Sequence, residues 1–219
     1  MAPQARIAEP LRGLFAHVPV DEAARATLLG FLGGEDRHYH GVAHVALLWQ
    51  RHLEFGAGTM FAAERSTRLI ACAIAYHDAI YDPARRDNEA RSAALWRDHA
   101  AAGPMPASEI AWVADTIIAT ADYFGQIEDG YPWAQARIWM LDLDLTPLGE
   151  TADDFARNTA LLRAEYAHVA EADWAAGRAA FLASLARHPA LFRTRVLHDA
   201  FEAAARRNIA ASLENLHQA

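Results

Sequence analysis

Along almost the whole chain, apolar residues recur at the three-to-four-residue spacing of a helix face, and no strand-like alternation of any length interrupts them. Alanine, leucine, arginine and glutamate, all good helix formers, fill that pattern. The spacing predicts an all-α chain with helices at about 5–17, 21–32, 41–54, 61–80, 88–102, 107–122, 133–145, 151–170, 173–187 and 194–216. The punctuation agrees. Gly33-Gly34 stops one helix, Gly-Pro-Met-Pro at 103–106 separates two more, and Thr151 with Asp154 three residues on has the form of a capping box. The connections are short, and none has the Pro, Gly or Ser content of a linker. One compact all-helical domain over residues 1–219 is therefore expected, with C-terminal helices 151–216 completing the bundle.

Composition narrows what such a bundle does. A hydrophobic content of 53% is ample for a core, and the single cysteine, Cys72, lies inside the apolar run LIACAIAY as a small buried hydrophobe. No stretch approaches the ~18 apolar residues of a membrane span, so a soluble cytoplasmic protein is expected, with no membrane partner. The net charge of −8 disfavours a nucleic-acid polymer, which is bound mainly by clustered positive charge. All 20 basic residues are arginine, which excludes a P-loop lysine, a Schiff-base lysine and a Ser-Lys dyad. Whether the chain forms a homo-oligomer is left open.

Three segments carry the chemistry. In RHYHGVAHV, residues 37–45, His40 and His44 stand one helical turn apart, roughly 6 Å along the axis, and can face one point. In AIAYHDAIYD, residues 73–82, His77-Asp78 ends a strongly apolar run, where an ionisable pair is costly unless compensated. In WMLDLDLTPLG, residues 139–149, Asp142 and Asp144 stand among apolar residues; a divalent cation, a helix cap or an arginine would each serve as partner. Together these segments offer a mixed nitrogen and oxygen shell for one divalent metal such as Mn, Fe, Co, Ni, Zn or Mg.

The ordered set HxxxH, then HD in an apolar helix, then a distant Asp resembles the HD superfamily of metal-dependent phosphohydrolases. The flanking DNEARSA, LLRAEYAHV and EAAARRNIA are similar to a bacterial subgroup of predicted HD phosphohydrolases, and the likeness runs from about Arg37 to Asn208. It implies an HD-type helical fold and a metal held by His44, His77, Asp78 and a late Asp, Asp144 before Asp142. His40 matches the general acid of the HNxxH motif, although Gly41 replaces the Asn. Asn88-Glu89 stands where dinuclear members carry a further histidine, which points to a single metal ion.

On this reading His40 protonates the leaving oxygen or holds the phosphate, Arg37 offsets developing charge, and Glu89 orients water. Arg163, Glu165 and Tyr166 match the subgroup's RxEY pattern, and Glu202, Arg206 and Asn208 its ExxxRxN pattern. Arg163, Tyr166 and Arg206 are then substrate-binding candidates, because guanidinium forks phosphate; helix pairing is the alternative. The expected substrate is a small phosphorylated metabolite, a nucleotide before others, with Tyr39, Tyr76, Tyr81 and Tyr166 as a flat wall for a base. The rivals are a regulatory module that binds a nucleotide without turnover, and an HD-fold iron-dependent oxygenase. A second HD dipeptide, His198-Asp199, lacks an upstream HxxxH. His17, His52, His99, His168, His188 and His217 stand without companions and read as core or surface residues.

Overall fold

The computed structural model describes residues 11–127 and 133–218, with side chains through 216. The expected start of the first helix, at residue 5, and the His217 side chain lie outside the described residues. The fold is all-α, with ten helices and no strand among the described residues. Residues 11–15 form α1, followed by α2 (Glu22–Leu32), α3 (Val42–Gly56), α4 (Glu64–Tyr76), α5 (Asn88–Ala100) and α6 (Ala107–Ala119). Then come α7 (Ala134–Leu145), α8 (Ala152–Glu165), α9 (Glu171–Ala186) and α10 (Arg195–Gln218). None of these helices is long and apolar enough to cross a membrane. The chain divides into two compact units, residues 1–141 and 142–219, and the division falls within α7.

In the first unit α4 is central. Every residue from Leu69 to Tyr76 is buried, so this helix is apolar on all sides at its C-terminal end. Ala71, Cys72, Ala73 and Ala75 are small enough to let neighbouring helices approach, and α3, α5 and α6 all pack on it. Burying Leu69, Ile70 and Ile74 contributes roughly 1.5–3 kcal/mol each. Burial also raises the pKa of the Cys72 thiol, as expected of a core residue.

The expected single helix over 61–80 divides differently in the structure. A 3-10 turn over Met60–Ala62, capped by Thr59, precedes α4, and α4 stops at Tyr76. The stop has visible causes: the Ala79 N–H bonds the Tyr76 carbonyl, Arg37 takes the carbonyls of Asp78 and Ala79, and Pro83 cannot continue a helix ladder. His77-Asp78 thus lies on a turn at a helix end, not inside a helix.

In the second unit, α10 packs on α9 and on the 3-10 turn Thr146–Gly149. A Cβ at Gly149 would stand 2.8 Å from the Phe201 Cβ, so the approach of α10 requires glycine there. The N-cap half of the expected capping box forms, with Thr151 Oγ accepting from the Asp154 N–H, while the Asp154 carboxylate accepts from the Thr151 hydroxyl in place of its backbone N–H. The expected helix 151–170 ends early, at Glu165, because Arg163 draws the carbonyls of Tyr166 and Val169 onto its guanidinium.

Candidate metal centre

Two short pieces of the first unit build the site. Gly41 is the N-cap of α3, which places His40 in the preceding loop and His44 in the first turn of the helix. Their ring centroids are 6.0 Å apart. The other piece is the turn that ends α4, where His77 is buried and Asp78 half-buried.

The polar atoms of these pieces converge. His44 Nε2 lies 3.3 Å from His77 Nε2, and the Asp78 Oδ2 stands 3.0 Å from His77 Nε2 and 3.7 Å from His44 Nε2. His77 Nδ1 donates to the Ile74 carbonyl at 3.0 Å, which sets the tautomer so that, in the neutral ring, Nε2 carries a lone pair. A lone pair, a second imidazole nitrogen and a carboxylate oxygen at these distances need a proton or a cation among them. A proton on His77 would serve one acceptor along one line. A metal serves all of them, and two nitrogens each about 2.0–2.1 Å from a tetrahedral ion stand about 3.3 Å apart. Asp144, the late Asp favoured by the sequence, is half-buried on α7, in the second unit. The residues present fit a divalent ion of the nitrogen-and-oxygen type.

Asp142 has other work. Its Oδ2 accepts from the backbone N–H and the hydroxyl of Thr194, both at 2.6 Å, and burial raises its pKa despite those bonds.

Around the histidines the walls are aromatic. His40 stacks on Tyr81 with centroids 4.0 Å apart, and Tyr39 packs against both His40 and His44. Arg37 donates to three backbone carbonyls, those of His40, Asp78 and Ala79. Glu89 is half-buried in the first turn of α5, and His38 is exposed. Neighbouring Asn88 is buried, its amide clamped on the N–H and carbonyl of Asp82.

The remaining candidates belong to the second unit's own scaffold. Arg163 donates from all three nitrogens, to Glu171 and to the carbonyls of Tyr166 and Val169. Tyr166 packs against His168 and Trp174. Arg206 bonds Glu202 and the carbonyls of Ala186 and His188, while Asn208 bonds those of Leu148 and Glu150. His198-Asp199 is exposed on α10.

Sequence reasoning did not identify the Ile74 carbonyl, the stacking of Tyr81 on His40, or Ser92, whose hydroxyl pairs with both backbone groups of Ile80. A carbonyl leaves no mark in a sequence, but the polar positions of DNEARSA on the buried face of α5 were a signal for Asn88 and Ser92.

No protein-family model, curated protein or solved structure matches this chain. Its functional reading rests on the site itself.

Proposed function

We propose that this chain is a metal-dependent phosphohydrolase of the HD superfamily, acting in the cytoplasm on a small phosphorylated metabolite, a nucleotide before others. The carrying observation is the approach of His44 Nε2, His77 Nε2 and Asp78 Oδ2 within 3.0–3.7 Å of one another, with one imidazole tautomer set from behind by Ile74. The HD-type pattern of the sequence adds Asp144 as the further carboxylate donor. When bound there, a divalent cation supplies Lewis acidity, activating water and polarising a phosphoryl oxygen.

The chain's own residues do the rest. His40 lies outside the ligand set, and its face-to-face packing on Tyr81 holds the ring in one orientation, suited to giving a proton to a leaving oxygen. The net charge of −8 disfavours a polyanion as substrate. The proposal leaves Arg163, Tyr166 and Arg206 out of the substrate site, because their polar groups and rings serve the second unit's backbone and core.

The test is metal analysis of purified protein followed by phosphate release from a panel of phosphorylated metabolites with Mn2+, Co2+, Ni2+, Zn2+, Mg2+ or Fe2+. The expected result is about one metal per chain and turnover that chelation abolishes. A protein that takes up no divalent metal, or that binds DNA or RNA tightly with steep salt dependence and releases no phosphate, overturns the proposal.

A further inference from the structure

Arg37 lies in the loop before α3, seven residues ahead of His44, yet its guanidinium is spent on the far side of the site. Nη1 donates to the carbonyl of His40 at 2.7 Å and to that of Asp78 at 2.8 Å, and Nη2 donates to that of Ala79 at 2.8 Å. The last two bonds span 41 and 42 residues of chain. They hold carbonyls of the turn just past the C-terminus of α4, a position that favours a cation as well as a donor. The guanidinium also lies 5.5 Å from the centroid of Tyr81, the ring that carries His40.

The rest of the turn is held from α5. Ser92 pairs with Ile80 and Asn88 with Asp82. Those clamps fix the turn to its own downstream helix. Among these clamps, Arg37 is the one that couples the turn to the segment bearing His40 and His44.

The geometry points to Arg37 as a positioning residue for the metal site: its planar fork sets the spacing between the two histidine-bearing segments by gripping their backbones, and its charge is not presented to substrate. The inference rests on the metal reading above. A lysine keeps the charge but places it at a single point, so it cannot reproduce a fork whose two nitrogens reach three carbonyls.

The experiment titrates wild type, Arg37→Lys and Arg37→Gln with Zn2+ by chelator competition, records the visible spectrum of each with Co2+, and measures metal-free melting. Partners that orient ligands are worth about 10–100-fold in metal affinity, and both variants are expected to lose that much. Their Co2+ spectra should change, while metal-free melting stays near wild type. Affinity and spectrum unchanged in Arg37→Lys would overturn the inference and leave the metal site standing. Loss of the fold in both variants would also overturn it, by making Arg37 a determinant of the whole unit. A wild type that binds neither ion removes the metal reading and this inference with it.

Discussion

The chain contains the dipeptide His-Asp twice, and the two copies meet opposite fates. His77-Asp78 closes the most deeply buried helix of the first unit; the side chains are 1% and 17% exposed, and His77 Nε2 lies 3.0 Å from Asp78 and 3.3 Å from a second imidazole. His198-Asp199 lies on α10 of the second unit, 46% and 64% exposed, with a 3.6 Å approach between the two side chains and Arg195 beside Asp199. Desolvation separates them. In water an ion pair of this kind is worth little, whereas a buried cluster of acceptors is unstable without a cation. The dipeptide is no signature by itself; what gives it meaning is an apolar helix that delivers it to a place where another histidine waits.

The largest effect expected from this contrast is on metal binding. His77→Ala should reduce uptake to background and remove the fall in melting temperature that chelation causes in wild type, while His198→Ala leaves both unchanged. Titration of the two variants side by side decides it: full occupancy in His77→Ala, or loss in His198→Ala, breaks the comparison.

A second experiment asks whether burial alone makes an imidazole a ligand. His52 is as buried as His77, but its Nδ1 accepts from the Trp139 indole at 3.1 Å, and burial, helped by His17, lowers its pKa to about 4. Between pH 6.5 and 4 the unfolded state therefore binds a proton that the folded state does not, so stability rises with pH across that window and falls on acidification. The difference amounts to about 3 kcal/mol from this group at its limit. Urea unfolding at pH 7 and pH 4.5 should show the loss in wild type and a shallower one in His52→Gln, with metal affinity unaffected. An unchanged pH slope in the variant would show that His52 is not the group responsible.

In the second unit the polar groups grip backbone. Arg206→Ala removes bonds to the carbonyls of Ala186 and His188 and a partner of Glu202, and should cost about 2 kcal/mol by denaturant midpoint with no change in Zn2+ affinity. Reduced metal affinity at unchanged stability would place Arg206 in the site after all. The smallest effect belongs to Thr151→Ala, which removes a cap at the start of α8 and should cost about 1 kcal/mol in the same measurement. A neutral result there would mean that the cap adds nothing beyond solvation.

Local rules made much of the fold legible. Periodicity located the helices, glycines and prolines located most breaks, and the Thr151 cap was visible from its spacing to Asp154. The errors share one cause. α4 and α8 both end earlier than their patterns suggest, because Arg37 and Arg163 hold carbonyls that would otherwise continue the ladder. An arginine in a pattern predicts a charge; it does not say whether that charge will meet a phosphate or a carbonyl.

The sequence by itself determined the helical class and the apolar helix that ends at His77, because these depend on periodicity within one segment. Only the tertiary structure decided which residues meet. It brought His44 within 3.3 Å of His77 across 33 residues, turned Asp142 to Thr194, and spent Arg37, Arg163 and Arg206 on backbone. The reason is that contacts between distant segments follow from packing and from the need to satisfy every buried polar group, and neither has a period that a sequence can display.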